Sequence, residues 1–405
     1  MSEQRNKERP RVAVIGGGIS GLAAAHRLVE LSAQHHDPPE VLLVEASPLT
    51  GGVIRTRRRD GFLLEAGPDS FISEKPAAVE LAKRLGLASR LIGTNTEHRR
   101  SFIVRGGRLH AVPEGFQLLA PSRLWPFVTT GIFSLRGKAR MALDLVLPRR
   151  ETKNGDDESL AQFVRRRLGR EALERMAQPM VGGIYTADPE NLSLRATMPR
   201  FLEMESAHRS LIRAMWKQRR RQQESKGTSG ARYGLFLSFD EGMRVLSDAL
   251  AARLPAATVR LNTKAEALAH DAATGLWKIR ANSGETFSAD AVCLALPAYA
   301  SAKLLRETDA ELAAELEAIP YASTATVNLA YRRSDIPHPL DGFGFVVPFV
   351  ERRSVLACTF SSVKFAGRAP EGHALLRAFV GGALQPEMFA LDEEEMLAAA
   401  RRDLR

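Results

Sequence analysis

RVAVIGGGISGLAAAHRLVE, residues 11–30, is followed at residues 41–47 by VLLVEAS. Val12 to Ile15 is a short β-branched run, and Gly16, Gly18 and Gly21 follow it at G-x-G-x-x-G spacing before an alanine-rich helical pattern. Strand, tight turn and helix in that order make the first half of a nucleotide-binding βαβ unit. Gly16 permits the turn, Gly18 lets the backbone approach a pyrophosphate, and Gly21 lets the helix pack closely on the strand. Together with Gly17, Ile19 and Ser20 they bring unpaired N–H groups and the positive end of a helix dipole to one point. Glu45 ends the next strand, where a carboxylate accepts hydrogen bonds from ribose hydroxyls and repels a 2′-phosphate. The stretch reads as a site for an unphosphorylated dinucleotide.

With 405 residues the chain is long enough for two or three units around sizeable cores. Its formal charge of +10 invites a nucleic-acid partner, but the arginine runs 57–59, 165–167 and 219–221 lack the interleaved aromatics of a base-stacking surface, so none is expected. A basic surface also suits an anionic membrane or an anionic substrate. The two cysteines, Cys293 and Cys358, sit alone in apolar runs and read as buried thiols in a reducing compartment. The first ten residues are polar and charged, so no secretory leader is expected, and no apolar run approaches the ~20 residues of a membrane span. The nine histidines show no metal-ligand spacing and no Ser–His arrangement, so no metal is expected.

Along the chain, a helix is read over Pro76 to Leu87 with a glycine stop, and a hairpin over FIVRGGRLHAVPEG around Gly106–Gly107. The stretch 116–150 mixes Leu, Phe and Trp with spaced Arg and Lys; it fits a membrane-surface segment or an inward-packed helical subdomain equally well. ETKNGDDES is a polar loop, and one amphipathic helix is expected from Leu160 to about Arg175. KQRRRQQESKGTSGAR, within 217–232, is poor in apolar residues and reads as a mobile loop. Strands are expected in TVRLNTKAEAL, a hairpin and buried strand in LWKIRANSGETFSADAVCLALP, and an antiparallel sheet from Tyr299 to Gly382.

EASPLTGGVIRT, residues 45–56, resembles the E-A-x-x-R-x-G-G-x-x-x-T stretch of the glutathione-reductase-like flavoproteins, in their amine-oxidase and porphyrinogen-oxidase branch. QPMVGGIYTADPENLSLRATMPRF, residues 178–201, resembles a block of the oxygen-dependent protoporphyrinogen and coproporphyrinogen oxidase family, and IPYASTATVNLAY, GFGFVVP and TFSSVKFAGRAPEGHALLRAFVGG follow in family order. The resemblance implies an α/β fold: a glutathione-reductase-like Rossmann FAD domain interleaved with an α+β substrate domain and a helical, possible membrane-associating subdomain. It divides the chain into FAD-domain parts at 1–75 and 236–298, substrate-domain parts at 76–112, 198–235 and 299–405, and a helical part at 113–197. It implies FAD as cofactor, a porphyrinogen and O2 as substrates, and a cytoplasmic enzyme that releases H2O2 and touches the membrane peripherally if the helical part docks there.

The same resemblance implies contacts to FAD from Gly16, Gly17, Gly18, Ile19, Ser20, Gly21, Glu45, Ala46, Gly51, Gly52, Val53 and Arg55, from Gly67, Pro68, Asp69 and Ser70, and from the backbone of Ala265. Three positions depart from the pattern. Leu49 stands where the family has a phosphate-neutralising arginine, leaving Arg55 or Arg57 to substitute; Ala265 stands for a valine; and Ser101 stands where some members hold a propionate with arginine, leaving Arg100 as a one-residue shift. Phe343, Phe345 and Phe365 are candidate walls for a flat macrocycle. No catalytic acid or base is singled out, because the flavin carries the oxidation.

Family members run further and close over the flavin with a glycine-rich segment, whereas this chain ends in LDEEEMLAAARRDLR, read as an uncapped helix. Weak FAD binding by residues 1–405, or none, is therefore expected, with a longer parent chain active. A flavin amine oxidase, a carotenoid desaturase and a noncatalytic flavin or tetrapyrrole carrier remain alternatives. The residues do not settle whether the porphyrinogen carries two propionates or four, and oligomeric state is not legible.

Overall fold

The computed structural model describes residues 9–33, 36, 38–117, 120–150, 157–224 and 236–405. β1 (Arg11–Ile15) leads through the glycine turn into α1 (Ile19–Ser32) and then β2 (Glu40–Val44). β1 pairs in parallel with β2 on one side and with the strand Ala291–Leu294 on the other; Val259–Arg260 adds a fourth parallel strand beyond β2. Both faces of this sheet are covered, which is why β1 and β2 run apolar without alternation after their first residues, Arg11 and Glu40. Val14, Val41 and Leu43 pack with Leu22 and Ala25 of α1 and with Leu246 and Leu250 of the helix Arg244–Ala251. Ala13, Ile15, Leu42 and Val44 point the other way, onto Leu268 and Ile279 of an antiparallel three-stranded sheet and onto the helix Ala298–Leu305.

The chain forms two units. The first is Met1–Gly93 with Leu235–Pro320, and the second is Thr94–Gly234 with Tyr321–Arg405. The helices Ala298–Leu305 and Ala310–Glu317 thus belong to the first unit, which runs to Pro320 instead of ending at 298. In the second unit a six-stranded sheet runs in the order 324–332, 373–381, 355–360, 344–346, 102–105, 108–111. All its pairs are antiparallel except 344–346 with 102–105. Gly106 and Gly107, at φ +56° and +72°, make the tight turn of its outer hairpin. One sheet face carries Phe102, Phe345, Cys358 and Phe360 into a core with Leu340 and Leu376. Ile103 and Val346 on the other face join the larger core of the helical layer, around Phe163, Val181 and Phe201.

Several elements differ from the sequence reading for identifiable reasons. The helix expected over 160–175 stops at Arg167 because Gly169 takes φ +94°; the chain then restarts through Arg170–Ala172 and a π-turn over Leu173–Ala177 before the helix Gln178–Tyr185. Residues 217–224, expected in a loop, are the end of the helix Leu211–Glu224, since KQRRRQQE consists of good helix formers; 225–232 lie outside the described residues, as does most of ETKNGDDES. The last helix, Glu393–Asp403, is capped after all: the Asp392 carboxylate accepts from Glu395 N–H while the Glu395 carboxylate accepts from Asp392 N–H, a D-x-x-E box overlooked in the acidic run. Cys358 is buried as expected, whereas Cys293 is only half-buried. Among the described residues no helix is long and apolar enough to cross a membrane.

Candidate functional site

The site grows out of the turn between β1 and α1. Gly16 sits at φ +109°, and a Cβ there would lie 2.6 Å from the Ala295 carbonyl oxygen. At Gly21 a Cβ would fall 1.8 Å from the Gly16 carbonyl oxygen, so only glycine lets α1 start this close to the strand. Gly18, the N-cap of α1, is the exception: a Cβ there meets nothing within 4 Å. No side chain caps this helix start and no acid occupies its first turn. The opening N–H groups of α1, at Ile19 and Ser20 among others, therefore face open space as a ready anion site.

A second glycine turn closes on the first. Gly51 N–H donates to the Gly17 carbonyl at 2.8 Å, and a Cβ on Gly52 would lie 3.1 Å from Gly18 Cα. Both residues take positive φ, +102° and +59°. Arg55 Nε donates to the Gly52 carbonyl at 3.1 Å, which holds a half-buried guanidinium beside this second glycine turn; Arg57 is exposed on the hairpin strand Thr56–Arg59. Val53 is exposed, and its carbonyl lies against Gly67, where a Cβ would be 1.8 Å away. Pro68 follows; the Asp69 carbonyl accepts from Ser238 Oγ, and the Asp69 carboxylate accepts from Ser70 Oγ, each at 2.7 Å. Glu65 beside them is structural, its carboxylate accepting from Met243 N–H and Thr56 Oγ.

At the other end, Glu45 Oε2 accepts from Gly17 N–H at 2.6 Å, and Oε1 accepts from Ser47 N–H at 2.7 Å. Ala46 between them is exposed. The segment ahead of Ala265 runs alongside: Thr263 N–H donates to the Glu45 carbonyl and Asn262 N–H to the Ser47 carbonyl, so Ala265 opens the strand Ala265–Asp271 next to this corner. Ser47 was missed in the sequence; a serine just after a strand-ending acid is the only signal that could have found it. An open helix N-terminus, two interlocked glycine turns, a nearby guanidinium and a carboxylate beyond them fit the pyrophosphate and ribose of FAD. One unit thus brings together Gly16, Gly17, Gly18, Gly21, Glu45, Gly51, Gly52, Val53, Arg55 and Gly67.

Arg100, Phe343, Phe345 and Phe365 lie in the second unit. Arg100 is half-exposed with its guanidinium 3.2 Å from the Asp341 carboxylate, and its carbonyl accepts from Phe343 N–H. Phe343 and Phe365 are 7% and 1% exposed, so their rings are buried in this unit and offer no open surface. Phe345 keeps some exposure but packs on the Phe360 ring. Within 178–201, Gln178 Oε1 accepts from Phe349 N–H, and Gly183 approaches Val346 on the sheet. The sheet also buries a cation that the apolar run HALLRAF concealed: Arg377, paired across the ladder with Asn328 and Thr359 and lying over the Phe379 ring at 5.0 Å. Burial pushes the Cys358 thiol up to about 12, so it carries no thiolate.

A parallel βαβ sheet with an adenine-dinucleotide cradle at its strand ends defines a dinucleotide-binding flavoprotein. The sequence profile of the flavin-containing amine oxidoreductases matches residues 19–405, and the chain belongs to that oxidoreductase family, whose cofactor is a flavin. Within it the chain is similar to the coproporphyrinogen III oxidase of Bacillus subtilis, 36% identical over 98% of this chain and 83% of that protein. It is similar also to the coproporphyrinogen III oxidase of Propionibacterium freudenreichii, at 38% over 96% and 75%, and to chloroplastic protoporphyrinogen oxidase 1 of Arabidopsis thaliana, at 31% over 97% and 73%. A candidate protoporphyrinogen oxidase from Exiguobacterium superimposes with a TM-score of 0.84 at 30% identity, over 98% of this chain and 82% of that one. Reduced UDP-galactopyranose mutase, at 19% identity and TM-score 0.68, shares the fold.

Proposed function

We propose that this chain is an FAD-dependent porphyrinogen oxidase of heme biosynthesis, acting on coproporphyrinogen III. The interlocked glycine turns with an uncapped α1 carry the cofactor part of the reading. The similarity to coproporphyrinogen III oxidases supports the substrate class, and the charge of +10 suits a substrate with four carboxylates. When bound, FAD supplies two-electron oxidation of the substrate and reacts with O2 to release H2O2; three rounds remove the six hydrogens that separate porphyrinogen from porphyrin.

The chain's own residues hold and orient. Backbone N–H groups of Gly18, Ile19, Ser20 and Gly21 receive the pyrophosphate, with Arg55 as its cation, while Gly17 N–H holds the Glu45 carboxylate; Glu45 and Ala46 receive the ribose and Ala265 the adenine. Gly51, Gly52, Val53, Gly67, Pro68, Asp69 and Ser70 line the path toward the flavin ring. Arg100 receives a propionate by exchanging Asp341 for it, a small cost at a half-exposed pair. Phe345 offers the macrocycle a partly exposed apolar edge. No residue is assigned proton transfer, since loss of pyrrole protons is driven by the growing aromaticity of the product.

A peripheral membrane contact on the cytoplasmic face belongs to the same reading. Leu124, Trp125, Val128 and Leu135 are exposed beside Arg123, Arg136 and Lys138. The activity is tested by mixing flavin-loaded protein anaerobically with coproporphyrinogen III, with a protein-free control for autoxidation. The flavin absorbance should bleach, and porphyrin fluorescence and H2O2 should appear on admitting O2, with kcat/KM at least tenfold above that for protoporphyrinogen IX. A flavin that stays oxidised overturns the reading; a reversed preference overturns the choice of substrate.

A further inference from the structure

The Ser47 hydroxyl has one proton and two acceptors. Its Oγ lies 2.6 Å from Glu45 Oε1 and 2.7 Å from the Leu49 carbonyl oxygen, and a single hydroxyl cannot donate fully to both. The Glu45 carboxylate offers about four lone-pair sites. Two are filled by backbone donors, Gly17 N–H and Ser47 N–H, which neither turn nor leave. A third is filled whenever the Ser47 hydroxyl points at Oε1, which leaves one.

We propose that Ser47 is a positioning and specificity residue for the cofactor ribose, a hydroxyl rotor that fills a Glu45 lone pair in the empty site and turns to the Leu49 carbonyl when both ribose hydroxyls arrive. The turn leaves the two open carboxylate sites that a diol needs, with no movement of the Glu45 side chain and no hydroxyl left unbonded. It rests on the reading of Glu45 as the ribose acceptor. The rotor has a definite consequence: a ribose lacking one hydroxyl costs little, because Ser47 stays on Glu45 and fills the gap.

The test is a ligand–protein double cycle with the full chain, stripped of flavin and titrated by fluorescence quenching with FAD and with FAD lacking the 2′-hydroxyl of its adenosine ribose. In Ser47→Ala the deoxy analogue should lose about 3- to 10-fold more affinity, relative to FAD, than it loses in the native chain, since nothing then fills the vacated site. Ser47→Thr, which keeps the hydroxyl, should restore the native ratio. An unchanged ratio in Ser47→Ala, or equal weakening of both nucleotides as from a purely structural defect, overturns the rotor. Should Ser47→Ala not fold, the native chain still speaks: a deoxy penalty above about tenfold there overturns the buffering. Glu45→Gln separates the two ideas, because native FAD affinity in that variant removes Glu45 as ribose acceptor and not merely Ser47 as its rotor.

Discussion

Gly18 and Gly21 belong to one motif, yet an added methyl group meets opposite surroundings at the two. At Gly21 it would overlap the Gly16 carbonyl, and because that oxygen is backbone and the Cβ is fixed to its own Cα, strand and helix would have to part. Gly21→Ala should therefore cost about 4 kcal/mol or more in urea unfolding, at the severe end for a single substitution. At Gly18 the methyl would enter open space from an ordinary φ of −68°, so Gly18→Ala should leave stability within about 0.5 kcal/mol. It should nevertheless weaken FAD binding by about tenfold or more, because that open space is where the anion must approach the helix N–H groups. Measuring unfolding and flavin affinity on both variants checks the contrast, and native flavin affinity in Gly18→Ala would remove this glycine from the site. The motif spacing announced both residues, but only the atoms around each separate a packing role from a binding one.

Among elements, the helical layer is tied by a buried ionic cluster that no periodicity announces. Arg167 is wholly buried; its Nε donates to Asp144 Oδ1 at 2.7 Å and its other N–H groups donate to main-chain carbonyls, including that of Arg209. Asp144 Oδ2 accepts from Ser210 Oγ and Ile212 N–H, which fixes the start of the helix Leu211–Glu224. Asp144→Ala would strand a buried guanidinium and should cost about 3–5 kcal/mol. Glu205 in the same layer accepts from both Arg166 terminal nitrogens, and Arg166 also holds Glu158. Burial alone would raise the Glu205 carboxyl, but the Arg166 hydrogen bonds hold it below its ordinary 4.5. A carboxyl depressed in the folded chain contributes stability that is complete above 4.5 and is lost as pH falls through the lower folded value. Urea midpoints should therefore drop below about pH 4.5, and Glu205→Gln should be less stable at neutral pH with a shallower acid loss; an unchanged acid slope would clear Glu205 of this role. Such positions read in sequence as solvated charges on amphipathic helices, since periodicity records which face a residue occupies and not which charge lies opposite.

For the whole molecule, the stretch 116–150 shows how far patterning reaches. Its mixture of apolar and basic residues left two readings open, and the folded chain divides it residue by residue: Phe127, Ile132 and Phe133 are buried in the helical core, while Trp125 and Leu135 are 76% and 83% exposed. If the exposed set meets a membrane, the chain should sediment with anionic phospholipid vesicles, and Trp125→Ser with Leu135→Ser should weaken this roughly tenfold with catalysis on dissolved substrate unchanged. Equal sedimentation of the double variant and the native chain would leave these residues without that role.

The sequence by itself determined the βαβ unit, its glycine turns and its acid, because strand period, φ > 0 turns and helix starts are local properties of neighbouring residues. It also determined the family, through the blocks at 45–56 and 178–201. Only the tertiary structure decided that Gly51–Gly52 lock onto Gly17–Gly18, that Ser47 Oγ lies within hydrogen-bond reach of both Glu45 and Leu49, and that Phe343 and Phe365 are buried. Those facts depend on contacts between residues distant in sequence or on the local path of the backbone around one side chain, and neither is encoded in the spacing of residue types.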